Sequence, residues 1–182
     1  MINCPGCWPM SSKANPRSMR SAKRRAVRKK QERWYRSVAD KGRIMAVCIS
    51  EQRGTKKVNI SEAEFVENFG IKNDAHAGDW HRQVSLLCDD RVQEFRSRGA
   101  DVDDGAFGEN LLVSDIDFKS LPVGTRLKCN GVVLEITQIG KQCHSHCEIF
   151  HQVGDCIMPR EGVFAKVITG GIIKVVDMLY VE

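Results

Sequence analysis

Asn130-Gly131 sits between two short apolar runs, Thr125–Cys129 and Val132–Gln138, and this arrangement limits the folds open to the chain. A two-residue Asn-Gly link takes left-handed backbone at both positions and matches the twist of paired antiparallel strands, so it reads as a tight hairpin. The second run alternates Val132, Leu134 and Ile136 with Val133, Glu135 and Thr137, the period of a strand buried on one face. Short runs of the same kind recur: Arg43–Ser50, Val84–Cys88, the run to Val113 fed by the glycine turn at Gly105–Gly108, Gly162–Ile168, and Ile172–Val181 after Gly170-Gly171. Two short helices are expected among them. Ser61 with Glu64 at capping-box spacing predicts one over Glu62–Val66. The other spans Asp89–Arg98, with Val92 and Phe95 inward and Gly99 as its stop. Strands and helices do not alternate regularly, which argues against a doubly wound sheet. The expected fold is mostly β, a closed or nearly closed barrel with a few short helices.

Charge divides the chain. Residues 1–42 hold 12 Lys or Arg against two acids, whereas the remainder holds 16 against 21. The overall charge of +5 is therefore an average over a basic tail and a mildly acidic domain. Residues 1–41 read as an extension, with Pro, Gly and Ser around Cys4-Pro5-Gly6-Cys7 and then a basic helical stretch; residues 42–182 read as the domain. Nucleic acid is a partner only through that tail. No apolar run is long enough to span a membrane, and no signal-peptide core opens the sequence, so a cytoplasmic protein with reduced thiols is expected.

The chemistry-bearing residues cluster between Ile139 and Cys156. Three of the eight cysteines and three of the five histidines lie there. Gly140 breaks the strand, and Lys141, Cys143 and His144 follow. A cation beside a thiol favours the thiolate, the form that attacks sulfur or binds a soft metal. A second polar segment, Gly70–Gln83, carries Asp74, His76, His81 and Arg82 and is too polar and too rich in glycine for a core element.

Five motifs then occur in order: G-I-x-x-D-A-H-A-G at Gly70–Gly78, H-R-Q-V-S-L-L at His81–Leu87, G-x-F-G-E-N-L at Gly105–Leu111, L-E-I-T-Q-I-G-K-Q-C-H at Leu134–His144, and G-D-C-I-M-P-R-E-G-V-F-A-K-V-I-T-G-G at Gly154–Gly171. Together they resemble the MOSC family, the domain at the C-terminus of molybdenum-cofactor sulfurases and of small stand-alone bacterial proteins. The resemblance spans about residues 42–182. It implies a β-barrel and a role with the molybdenum–molybdopterin cofactor. Cys143 matches the family's signature cysteine, which carries sulfur as a persulfide or ligates molybdenum. The cofactor's phosphate calls for cations and N–H donors, so the resemblance makes His76, His81, Arg82, Asn110, Lys141 and Arg160 candidates for binding it. More ordinary roles stay open: an Arg82–Asp74 ion pair, Asn110 holding a strand end, and histidines satisfied at the surface. The pyridoxal-phosphate domain of the longer sulfurases has no counterpart in this chain, so that cofactor is not expected.

Three functions follow. Cys143 takes sulfur from a cysteine desulfurase and passes it to the cofactor. Alternatively, the bound cofactor reduces N-hydroxylated compounds with electrons from a protein acting in trans. In a third, non-enzymatic reading, Cys143, Cys147, Cys156 and a histidine hold zinc.

Overall fold

A computed structural model describes residues 40–142 and 148–182. The basic extension, the Cys4–Cys7 pair, and Cys143, His144, His146 and Cys147 fall outside the described residues.

In chain order the described strands are β1 (Lys41–Ile49), β2 (Val58–Asn59), β3 (Glu62–Val66), β4 (Gly70–Ile71), β5 (Val84–Cys88), β6 (Leu111–Val113), β7 (Arg126–Cys129), β8 (Val132–Ile139), β9 (Val163–Thr169), β10 (Gly171–Lys174) and β11 (Met178–Val181). The helices are α1 (Asp89–Ser97), α2 (Glu148–Val153) and α3 (Met158–Glu161). Seven strands close into a barrel. The order β11-β7-β8-β9-β5-β6-β1 is completed when Lys41–Arg43 of β1 pairs with Met178–Tyr180 of β11. Closure removes the unpaired edges that an open sheet would expose. Every neighbouring pair in the ring is antiparallel except β5–β6. Parallel neighbours need a crossover, and α1 lies in that connection. Strands β10, β3 and β4 form a separate small sheet.

The β7–β8 hairpin forms as the Asn-Gly link requires. Cys129 pairs with Val132, and Asn130 and Gly131 have φ of 47° and 86°. Along β8, Val132, Leu134 and Ile136 are fully buried while Val133, Glu135 and Thr137 are half-buried. Strand β5 is buried along its whole length because each face meets apolar groups. Val84 and Leu86 face the barrel interior with Ile44, Leu111 and Leu134; Leu87 joins an outer layer with Val92, Phe95, Leu112 and Phe164. Helices α1, α2 and α3 contribute to that layer through Phe95, Ile149 and Met158.

Two expectations are corrected. Glu62–Val66 is a strand, not a helix: Ala63 and Phe65 point inward, Glu62 and Glu64 outward, and the segment pairs with Gly171–Lys174. The capping-box spacing was genuine, but a partner strand satisfies every second backbone group and overrides a weak local preference. The last run, Ile172–Val181, is also two strands. Val176 adopts φ 72° in the turn between them, and Val176 N–H donates to the Ile44 carbonyl at 2.8 Å.

Register shifts in β1 and β8 set the facing of residues that strict alternation misassigns. Between Ile44 and Ala46 the register of β1 shifts, leaving Met45 exposed and returning Val47 to the interior. Between Ile136 and Gln138 the register of β8 shifts in the same way. Bulges bend a strand and re-aim its side chains. This second one lies at the end of β8 that leads to Lys141.

Candidate functional site

The bulged end of β8 meets the polar loop Lys72–Gln83. The Thr137 hydroxyl donates to the His81 carbonyl and lies 3.1 Å from the Phe164 carbonyl. Gln138 then reaches two ways. Its amide nitrogen donates to the Gly140 carbonyl at 2.6 Å, and its oxygen lies 2.9 Å from His81 Nε2. Gly140 is required here. It has φ 69°, and a Cβ would sit 2.3 Å from the Pro159 carbonyl oxygen. Gly140 N–H also donates to Gly162 O at 2.6 Å, so the chain enters the Lys141–Gln142 segment from a fixed point.

Arg82 stands beside this corner. Its guanidinium carbon lies 4.8 Å from the Trp80 ring centroid and 5.6 Å from that of Phe164. Among the described residues its buried Nε has no hydrogen-bond partner. Cation–π attraction to two aromatic rings restrains the guanidinium. Trp80 Nε1–H donates to the His76 carbonyl at 2.9 Å, which ties Arg82 and His76 into one cluster.

Behind His76 lies an ion pair that the sequence did not single out. Lys57 Nζ donates to both Asp74 oxygens, at 2.6 and 2.7 Å, and both side chains are essentially inaccessible. Asp74 also accepts the Ser50 N–H at 3.0 Å and an Asn110 Nδ2–H at 3.2 Å. Burial raises the Asp74 carboxyl, but the hydrogen bonds from Lys57 and Ser50, with the Lys57 charge, carry it below the usual carboxylate range. Burial pulls Lys57 down, against the hold of Asp74. Four N–H donors on one carboxylate keep the pair ionised. Burial, and then the Lys57 charge, push the His76 imidazole below its ordinary range; Asp74 opposes, and Arg53 and Lys141 add to the shift. Lys141 is therefore within electrostatic reach of His76.

The structure thus brings together His76, His81, Arg82 and Lys141 around the start of the segment that carries Cys143. Asn110 stands apart. It is buried, its Nδ2 donates to Cys48 O and Asp74 Oδ2, and its Oδ1 accepts from the Ser85 N–H and lies 2.9 Å from the Ser85 hydroxyl. Its amide is fully engaged inside the protein and positions Asp74. Arg160 is exposed and bidentate on Asp155, at 2.8 Å through each nitrogen. Arg82 does not pair with Asp74, because Lys57 occupies both carboxylate oxygens. Nothing in the run Lys56-Lys57 marks the second lysine as the buried one; only the fold separates them.

Two of the described thiols are deeply buried. Cys48 and Cys129 are buried, and burial pushes each up to about 12, so neither supplies a thiolate near neutrality. Among the described residues no group of three His, Cys, Asp or Glu side chains is placed to hold a metal ion. No described helix is long and apolar enough to cross a membrane.

A closed seven-stranded barrel with a few short helices defines the class, a mostly β barrel protein. The particular family follows from the sequence: the MOSC domain profile matches residues 73–180, and the chain belongs to the MOSC family. Solved structures support the fold. The YuaD protein from Bacillus subtilis aligns with a TM-score of 0.66 at 17% identity, over 78% of this chain and 95% of that one. YiiM from Geobacillus stearothermophilus aligns at 0.58 and 14%, over 78% and 75%. YiiM from Escherichia coli aligns at 0.55 and 14%, over 78% and 69%. Comparison with curated proteins gives no match.

Proposed function

We propose that this protein binds the molybdenum–molybdopterin cofactor and carries sulfur for it on Cys143. The observation that carries this reading, within a MOSC chain, is Arg82: a guanidinium over the Trp80 and Phe164 rings whose buried Nε has no partner among the described residues, close in the chain to His81 at the strand end that leads to Lys141. The donor set fits the cofactor's anionic group. Arg82 and Lys141 would neutralise a phosphate, and His81 and His76 would add hydrogen bonds. When bound, the cofactor supplies a molybdenum centre that accepts a soft sulfur ligand.

The residues of this chain act before that point. The Cys143 thiolate attacks the terminal sulfur of a persulfide on a cysteine desulfurase. A new S–S bond forms on Cys143, the donor's S–S bond breaks, and the donor leaves as a thiolate. The donor brings the sulfur already oxidised, so no further oxidant is needed. Lys141, two residues from Cys143, favours the thiolate. Gln138 and Gly140 hold the strand end that leads to Lys141.

The test is molybdenum and pterin analysis of the full chain from a cofactor-producing host, wild type beside Cys143→Ser, with mass spectrometry for a persulfide. Expected are substoichiometric molybdopterin and a persulfide adduct of +32 Da per sulfur, both lost in the variant. Stoichiometric, retained molybdopterin without persulfide would move the reading to the reductase. Zinc instead of molybdenum would sink both.

A further inference from the structure

Lys57 and Asp74 lie behind the cationic corner, buried beside His76. Their geometry acts on that corner through His76. Two of the three Lys57 N–H groups are held by Asp74. The Lys57 ammonium also lies 3.5 Å from His76 Nδ1. An ammonium has no acceptor, so it can meet Nδ1 favourably only if that nitrogen carries a lone pair. The alternative, Nδ1–H donating to Asp74, is out of reach: Nδ1 is 4.0 Å from Oδ1, which already accepts from Lys57 and Ser50. The proton must then sit on Nε2, across the ring from the buried pair. The His76 side chain is 35% exposed while Asp74 is fully buried, so Nε2 is on the accessible side.

We infer that Lys57 is a positioning residue: clamped on Asp74, it fixes His76 as the Nε2–H tautomer, an uncharged donor aimed at an oxygen of the anionic ligand. The ligand half of this inference rests on the proposed cofactor reading; the tautomer half does not. The arrangement has a chemical use. Arg82 and Lys141 already supply positive charge, and a third cation would bind any polyanion without discrimination. A neutral N–H selects by direction instead, since it needs an acceptor in line with Nε2. The charged groups acting on His76 agree. Lys57, Arg53 and Lys141 each disfavour imidazolium, and Asp74 favours it. Asn110 and the Ser50 N–H hold Asp74 in place, so the register of the whole line is set by the ends of the strands that carry it.

The experiment is nitrogen NMR of the full chain with 15N-labelled histidine, ligand-free, across a pH titration, with His76 assigned by loss of its signals in His76→Gln. Expected in wild type is an acceptor-type shift at Nδ1 and a protonated-type shift at Nε2 at neutral pH, with imidazolium formed only below the ordinary histidine range. Lys57→Met, if folded, should raise that midpoint and give averaged shifts; Lys57→Arg should restore the wild-type pattern. A wild-type spectrum showing Nδ1–H would overturn the inference, with no variant needed. So would a folded Lys57→Met protein with unchanged shifts and midpoint. Inorganic phosphate, added to wild type, should shift Nε2 saturably, and no response would overturn the donor role. Absence of molybdenum from the purified protein, by contrast, would remove the cofactor reading and leave the tautomer standing.

Discussion

At the scale of single residues, the buried acid Glu109 carries a further consequence. It is fully inaccessible. Its Oε1 accepts the Gly105 N–H at 2.8 Å, and its Oε2 has no hydrogen-bond partner among the described residues. Burial raises the carboxyl to about 7, against the pull of the N–H groups of Glu109, Gly105 and Phe107, with Asp104 adding repulsion. A carboxyl raised in the folded state contributes stability that is complete below its unfolded value and is lost as pH rises through the folded one. From about pH 4.5 to about pH 8 the loss amounts to about 3 kcal/mol. Glu109→Gln mimics the protonated form, so urea unfolding across that range should show the variant gaining on wild type by about that amount as pH rises. An unchanged difference would mean Glu109 finds a partner for its charge. Lys57 teaches the complementary lesson. Neighbouring lysines look alike in a sequence, and only the carboxylate placed beside one of them distinguishes it.

Among the elements, the end of β8 fixes where the chain enters Lys141–Gln142. Its alternation was legible as far as Ile136, because a half-buried strand writes its facing into every second residue. The bulge at Thr137 was not, since an extra residue depends on the partner strand's register. Gly140 was legible as a break. Its reason, the approach of the Pro159 carbonyl, lies 19 residues further along the chain. Gly140→Ala combines a left-handed backbone with that clash and should cost at least about 2 kcal/mol by urea unfolding. It should also lower persulfide loading at Cys143, because the strand end shifts. Full stability in this variant would show that the loop relaxes freely. Glu62–Val66 is the element misread as a helix. Its alternating Glu-Ala-Glu-Phe was present in the sequence, but β10, which pairs with it, lies more than 100 residues away.

For the whole molecule, closure by β11 is the decisive contact. Leu179 is fully buried, opposite Gly42 of β1, and its side chain joins the interior with Ile44 and Leu127. Leu179→Ala should cost about 2–5 kcal/mol. Because the ring is continuous, fluorescence and circular dichroism should still report one coincident transition. Separate transitions would mean that the barrel opens in parts. The sequence by itself determined the strand-rich class, the β7–β8 hairpin, the α1 helix and the family, because these follow from local periodicity, turn residues and ordered motifs. Tertiary structure decided the parallel β5–β6 pairing, the register shifts in β1 and β8, the burial of Lys57 against Asp74 and the engagement of Asn110. Each of those depends on which distant backbone or charge arrives beside a residue, and no local pattern encodes that arrival.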